Sequence, residues 1–356
     1  MDKKKIAERI FFILIGISAA LIVSIGVIAI VLRENGKKSL QADETEITVH
    51  SVELEKKATV SKVEKDDDTI MYKGKKYRYN KDVVTILFMG IDNNGKLPPK
   101  DENRDYRKGG QADALLLAVI NPHDNTVKMV NINRNAIAEV DIYDENGNFV
   151  ETRATQVCLA HGYGTGYEDS CERQVKSVSN LFNYIPISGY ISMEMGGVGV
   201  MNDAVGGVEV EILDDIPQGS DNLKHRQGET VTLMGDDARI YVKYRDTKEF
   251  DSVSTRMRRQ KQYVNALTGK LVAKSKKDAK FPITLLMELS DYTVTNLDAS
   301  KITYLTGECI GYDIDTENIY SLEGETVVAD DGFEEFHADE DAVTDLIFEL
   351  FYENVL

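Results

Sequence analysis

Apolar and polar positions divide the chain into three regimes. From Ile10 to Leu32, twenty-three residues carry no charge. At about 1.5 Å per residue they are long enough to cross a hydrocarbon core of roughly 30 Å as one tilted helix. Residues 33–68 are polar, charge-rich and without aromatic side chains, and they end in Lys65-Asp66-Asp67-Asp68. That composition predicts an extended stalk rather than a packed element. From Thr69 onward, short apolar runs alternate with turn residues, the pattern of a chain that folds on itself.

Within this third regime, Lys73-Gly74 separates two short alternating segments between Thr69 and Tyr79, which predicts a hairpin in 69–82. Compact apolar runs from Val83 to Gly90, Ala114 to Ile120 and Thr126 to Ile132 are bounded by Gly, Asn, Pro or Asp. Continuous runs of that length suit strands buried on both faces. Between Ser170 and Tyr184, by contrast, Val175, Val178, Leu181 and Phe182 recur at helical spacing after Asp169-Ser170. Residues 254–272 also read as helix, with Arg256, Arg259 and Gln260 near its start. Strands interleaved with helices predict an α/β (α+β) sandwich with a mixed central sheet. We expect one domain over 83–356, its packing completed by residues 280–356, where Thr295-Asn296-Leu297 and the helical stretch Ala342 to Tyr352 lie.

Charge assigns places to these regimes. Lys3, Lys4, Lys5 and Arg9 precede the apolar run, while Arg33, Lys37 and Lys38 follow it. The run exceeds the roughly 7 to 15 apolar residues of a cleaved signal, and no small-residue cleavage site follows. The expectation is therefore an uncleaved single-pass anchor over 10–32, with residues 1–9 cytoplasmic and the bulk outside the cell membrane. Seven of the 42 basic and three of the 60 acidic residues precede Ser39, which leaves 35 against 57 beyond it. A domain with so large a negative excess has no basic face for a phosphate backbone, which excludes nucleic acid as a partner. Fifteen acidic residues after Gly311 meet no Lys or Arg, the mark of a solvated surface. Cys158, Cys171 and Cys309 lack the paired spacing of a zinc site. Outside the cell, Cys158 and Cys171 are a candidate disulfide, the alternative being two buried thiols.

No Walker loop, HExxH or nucleophile elbow is present, and the five His residues are scattered. The chemistry lies instead in charges at strand ends. Asp92 follows Phe88-Met89-Gly90-Ile91, Asp113 closes Gly110-Gln111-Ala112-Asp113, and Arg134 closes Asn131-Ile132-Asn133-Arg134. Tyr241-Val242-Lys243-Tyr244-Arg245, read as an extended segment, puts Lys243 and Arg245 on one side. Arg256 and Gln260, four apart, share a helical face. Carboxylates beside several cations suit a site that takes a metal ion together with a pyrophosphate.

In order along the chain, Ile86-Leu-Phe-Met-Gly-Ile-Asp92, Gly110-Gln-Ala-Asp113-Ala-Leu, Asn131-Ile-Asn-Arg134, Asp203-Ala-Val-Gly-Gly-Val-Glu-Val210, Tyr241-Val-Lys-Tyr-Arg245 and Arg256-Met-Arg-Arg-Gln260 resemble the LytR-CpsA-Psr family over about 83–270. The resemblance implies an extracytoplasmic phosphotransferase that moves a glycopolymer from a polyprenyl-pyrophosphate carrier onto a muramic acid hydroxyl of peptidoglycan and releases polyprenyl phosphate. It implies Asp92 and Asp113 as ligands of Mg²⁺ (or Mn²⁺), with Arg134, Asp92 and Asp113 as the catalytic set. Lys243, Arg245, Arg256, Gln260 and Gln111 would then meet the pyrophosphate.

The chain departs from the family pattern at four positions. Gln111 and Gln156 stand where Arg and Lys are usual, Lys243 replaces an Arg, and Asn135 replaces an Asp. Lys keeps the charge without the planar fork that grips phosphate, and Gln donates hydrogen bonds without neutralising it. Two rival readings follow: a polyprenyl-pyrophosphate hydrolase using water at the same site, and a non-catalytic envelope-binding or regulatory module.

Overall fold

The computed structural model describes residues 30–57, 60–62, 68–100, 106–218, 222–246, 248, 252–278, 280–309, 311–314, 319–330 and 332–355. The expected anchor lies outside the described residues up to position 29. Among those described, no helix is long and apolar enough to cross a membrane.

The three apolar runs form the middle of a mixed sheet. Strands β1 (Val84–Ile91), β2 (Ala112–Asn121) and β3 (Thr126–Ile132) pair antiparallel in sequence order, while β4 (Gly189–Glu194) runs parallel to β1 on its other side. The edge strand β5 (Thr293–Thr295) pairs antiparallel with β4, and the short β6 (Asp313–Ile314) and β7 (Tyr320–Ser321) run parallel to β3. Both faces are covered, which explains why these strands read as continuous apolar runs rather than as alternation. Leu87, Met89, Leu115, Leu117 and Val119 enter one apolar cluster. Val84, Ile86, Ala118 and Ile120, on the opposite face, enter another.

The first face is packed by α1 (Glu168–Leu181), which contributes Cys171 and Val178, and by the helix Glu340–Phe351, which contributes Val343, Ile347 and Phe351. The second lies under the helix Ala299–Cys309 and the long helix α4 (Ser252–Lys277), through Ile302, Tyr304 and Val264. A third cluster joins α4 to α2 (Gly196–Ala204), α3 (Asp236–Lys243) and the two-stranded unit of Val208–Glu211 with Thr230–Leu233. The predicted hairpin is present as Thr69–Tyr72 and Lys75–Tyr79, with Lys73 and Gly74 at positive φ in the turn. Its second strand pairs with Tyr352–Asn354.

Two expectations are corrected. Residues 33–40 and Glu44–Glu55, expected within a stalk, are helical and pack on the domain, burying Leu40, Ile47, His50 and Leu54. Asp43 caps the second of these helices in a capping box with Glu46. Ile47, His50 and Leu54, spaced three and four apart, form one buried stripe, so sparse apolar residues suffice to hold it down. The second correction concerns Tyr241 to Lys243, expected to be extended. They complete α3, because Ala238, Tyr241 and Val242 share its buried face, and the chain becomes extended only at Tyr244.

Candidate active site

The C-terminal ends of β1 and β3 and the start of β2 meet at one rim of the sheet. There the β1–β2 register slips: Gly90 faces Ala114 while Ile91 faces Ala112, leaving Asp113 as the extra residue of a β-bulge. A bulge bends its strand and re-aims the side chain at that point. Just before it, Gly110 has φ +75°, and a Cβ there would meet Ile91 and Asn93 at 2.9 Å. Only glycine fits that approach.

Asp113 is 6% exposed and sits between two guanidinium groups: Arg134 Nη1 is 3.0 Å from one oxygen and Arg256 Nη1 donates to the other at 3.0 Å. Arg256, reaching from the first turns of α4, is 5% exposed and Arg134 14%. Burial holds the Arg256 pKa below its usual value, with Asp113 opposing that shift and the charges of Arg134 and Arg245 adding to it. Asp113 thus lies between two cations, a third, Arg245, acts on Arg256, and Asp92 adds a second negative charge felt by Arg134. Arg256 Nε and Nη2 and Arg134 Nε are buried without a partner among the described residues. Three unmet donors in a cluster with surplus positive charge are suited to an anion with several oxygens.

The loop after β1 forms the other half of the rim. Asp92, its side chain 42% exposed, accepts from Lys243 Nζ at the end of α3. Lys243 also donates to Asn94 Oδ1 at 3.1 Å, and Arg239 to the same atom at 2.9 Å. Asp92 N donates to Gln111 O at 3.0 Å, tying the Asp92 loop to the β2 bulge.

Of the remaining expected residues, Gln111 is exposed and its side-chain oxygen accepts from Arg134 Nη2, so it steadies the cation rather than reaching outward. Gln260 is buried and donates to Val242 O at 3.3 Å, which anchors the end of α3 and places it behind the site rather than in it. Gln156 donates to Glu334 O at 2.7 Å, on the neighbouring hairpin. Arg245 follows α3, half-buried beside Arg256.

Cys158 and Cys171 are free thiols, which removes the candidate disulfide. They turn to different partners: Cys171 lies 3.9 Å from His161 Nε2, while Cys158 Sγ lies 3.0 Å from Arg134 Nη2. Burial pushes the Cys158 pKa up, with Arg134 opposing, so the thiol stays neutral against the guanidinium. The Cys158 backbone accepts from Ala112 and donates to Arg134 O, both at 3.1 Å, and so stitches the Arg134 loop to the Asp113 strand. Sequence reading gave Cys158 a candidate disulfide rather than a place beside Arg134, and it missed Asn94 and Arg239, which only position beside the recognised motifs marks.

As to a metal, no cluster of three or more His, Cys, Asp or Glu side chains poised for an ion occurs among the described residues. Two carboxylates, Asp92 and Asp113, stand at the rim. That donor set fits Mg²⁺, which commonly takes one or two carboxylates and completes its shell with phosphate oxygens and water.

Below this rim, the α4-covered face carries a row of incompletely buried apolar side chains. Phe88 on β1 is 38% exposed, and the residues in register with it are Leu116 on β2 and Ile191 on β4, both half-buried. An exposed Phe in a central strand means the helices do not close on the sheet there.

A family model described as LytR_cpsA_psr family matches residues 45–350. The chain belongs to the LytR_cpsA_psr family. It is 27% identical over 186 residues to the polyisoprenyl-teichoic acid–peptidoglycan teichoic acid transferase TagU of Halalkalibacterium halodurans, covering 52% of each chain. With TagV of Bacillus subtilis, of the same described activity, it shares 27% identity over 199 residues, 54% of this chain and 44% of that one. The chain thus spans about half the length of the curated relatives it matches. Among solved structures of similar fold, gbs0355 of Streptococcus agalactiae gives a TM-score of 0.59 at 20% identity, over 75% of this chain and 86% of that one. B. subtilis TagV gives 0.54 at 22%, over 75% and 95%. The mixed central sheet flanked by helices is therefore the fold of these proteins, as the motifs implied.

Proposed function

We propose that this protein transfers a glycopolymer from a polyprenyl-pyrophosphate carrier to a peptidoglycan hydroxyl, from the outer side of a membrane held by residues 10–32. The observation that carries the reading is Asp113 clamped by Arg134 and Arg256, with Arg245 beside them and three guanidinium nitrogens unmet. Surplus cationic charge concentrated in a chain of net charge −18 is a specific investment. Relatives named for polyisoprenyl-teichoic acid transfer support the same substrate class.

In this mechanism Asp113 fixes the two arginines, whose free donors and Arg245 bind the pyrophosphate oxygens. Asp92 and Asp113 would hold Mg²⁺, which when bound adds charge neutralisation to the phosphates. The acceptor hydroxyl oxygen attacks the sugar-side phosphorus, and the bond from that phosphorus to the bridging oxygen breaks. Its electron pair leaves with polyprenyl phosphate, whose new charge Arg134, Arg256 and Lys243 stabilise. Asp92, more exposed than Asp113 and without its two guanidinium partners, is the better placed base for the hydroxyl proton. The carrier's isoprenoid chain would run along the Phe88, Leu116 and Ile191 row.

The test uses full-length protein in detergent with a short-chain polyprenyl pyrophosphate, with and without Mg²⁺. Binding that requires the metal, with transfer falling at least 100-fold in Arg256→Ala, is expected. Lipid phosphate release at the same rate without peptidoglycan would mean a hydrolase, and metal-independent binding indifferent to Arg256 a non-catalytic module. Alkaline extraction that freed the protein from membranes would refute the anchor.

A further inference from the structure

Four residues beyond Asp92, the same loop enters the wall of a second cleft, of about 560 Å³, that the transfer mechanism does not use. We infer that this cleft is the seat of the acceptor: a subsite for the amino-sugar strand of peptidoglycan, resting on the reading above and separate from the pyrophosphate site. Lys96, Pro98, Lys100, Tyr167, Asp291 and Thr293 line it.

Position is the first argument. Strand β5 runs antiparallel to β4, which runs parallel to β1, so the Thr293 end of β5 lies at the rim that carries Asp92. Glu194 N donates to Tyr292 O and Leu97 N to Asp291 O, both at 2.8 Å, locking the loop to that end of β5. Two strand spacings, roughly 10 Å, separate β1 from β5. Asp113 lies on β2, one strand further and roughly 14 Å from β5, so a sugar strand of several units bound in the cleft extends along the rim toward the pyrophosphate site.

The second argument is the composition of the walls, in which a lysine–carboxylate pair repeats. On one side Lys96 bonds Asp291 at 2.7 Å and stands over the Tyr292 ring at 5.8 Å. On the other Lys100 bonds Glu168 at 2.6 Å and stands over the Tyr167 ring at 5.0 Å. Each pair thus offers an ammonium donor and a carboxylate acceptor to the cleft, and the Tyr167 ring lines it, while Tyr292 lies behind Lys96 outside the lining. A pyranose needs that set, since its rim of hydroxyls both donates and accepts while its axial C–H face is apolar. The acetamide groups of amino sugars would find the outer edge of β5, which has no partner strand among the described residues. Pro98 and Pro99 give the cleft a stiff floor with no amide N–H to satisfy. Both lysines and both carboxylates are largely exposed, so the site recognises by polar contacts rather than by burying an apolar ligand.

The test is calorimetric titration of full-length protein in detergent with a peptide-free tetrasaccharide of alternating N-acetylglucosamine and N-acetylmuramic acid. We expect binding that weakens at least ten-fold in Lys96→Glu and in Lys100→Glu, with unchanged melting temperature and unchanged affinity for short-chain polyprenyl pyrophosphate. Equal tetrasaccharide affinity in wild type and both variants overturns the subsite. So does a wild type that binds polyprenyl pyrophosphate but no tetrasaccharide, or one that takes a free stem peptide in preference. A wild type that binds neither probe overturns the transferase reading as well.

Discussion

Replacing Asp113 with Asn is a sharp test of the charge arrangement, because shape is kept and one charge is removed. In the native protein that carboxylate lies 3.0 Å from each of two guanidinium groups, and all three side chains are largely buried. Breaking such a buried pair leaves a charge without compensation and costs about 3 to 5 kcal/mol. Here two cations are stranded, and Arg245 adds to the repulsion on Arg256, which favours the upper part of that range. For a domain of this size the loss corresponds to a fall in Tm on the order of 10 °C. Differential scanning calorimetry at neutral pH reads it directly, and urea unfolding gives the free energy independently. An anion that occupies the site should restore part of the loss, by about 2.7 kcal/mol at 100 times its Kd; inorganic pyrophosphate is the probe. An Asp113→Asn protein melting within about 2 °C of wild type, with no response to pyrophosphate, would refute the clamp.

Other consequences follow from the same geometry. His50 is fully buried, and burial depresses its pKa to about 4. Its neutral form is the native one, so the stability it contributes is present above pH 6.5 and lost as pH falls toward 4. Each tenfold change in proton affinity is worth about 1.4 kcal/mol, so the loss over that window is roughly 3 kcal/mol. His50→Gln should flatten that part of the urea-midpoint profile, and a variant profile parallel to wild type would reject the assignment. Phe88→Asp should weaken binding of a long-chain polyprenyl phosphate ten-fold or more while leaving inorganic pyrophosphate binding intact; equal losses for both ligands would remove the apolar row from lipid binding. Gly110→Ala forces an L-residue into a left-handed conformation, at about 1 to 2 kcal/mol plus contact with Ile91 and Asn93. Chemical denaturation showing no loss would mean that the turn before the bulge relaxes freely.

Local patterns made much of the fold legible. The hairpin at Lys73-Gly74 and the three central strands depend on turn residues and apolar runs, and each is found within two residues of its expected place. Of the residues named from the ordered motifs, Asp113, Arg134 and Arg256 do come together in one clamp. The side-chain environments were not legible. An inserted residue at Asp113 depends on how two strands slip past each other, which neither strand encodes alone. Tyr241-Val-Lys-Tyr-Arg245 alternates as a strand would, but the upstream Asp236 and Asp237 and the buried trio on its face make most of it helix. Gln111 counted as a lost cation in sequence; in space its oxygen serves Arg134, a role an arginine at that position would not fill. The helix Glu44–Glu55 was hidden by composition, since three well-spaced side chains outweigh a polar average.

The pairing of Lys75–Tyr79 with Tyr352–Asn354 also bears on the order in which the molecule is built. Val355 N adds a further bond, to Lys76 O at 2.7 Å, and the helix before it inserts Ile347 and Phe351 beneath the sheet. A chain emerging residue by residue must leave its early hairpin, and the part of the core face of β1 and β2 that α1 does not cover, open until residues made about 270 positions later arrive. Such long-range closure slows folding and prolongs the exposure of strand edges. The protein is therefore a natural client for whatever holds nascent chains open, and a truncation before position 340 should yield aggregate rather than a shorter domain.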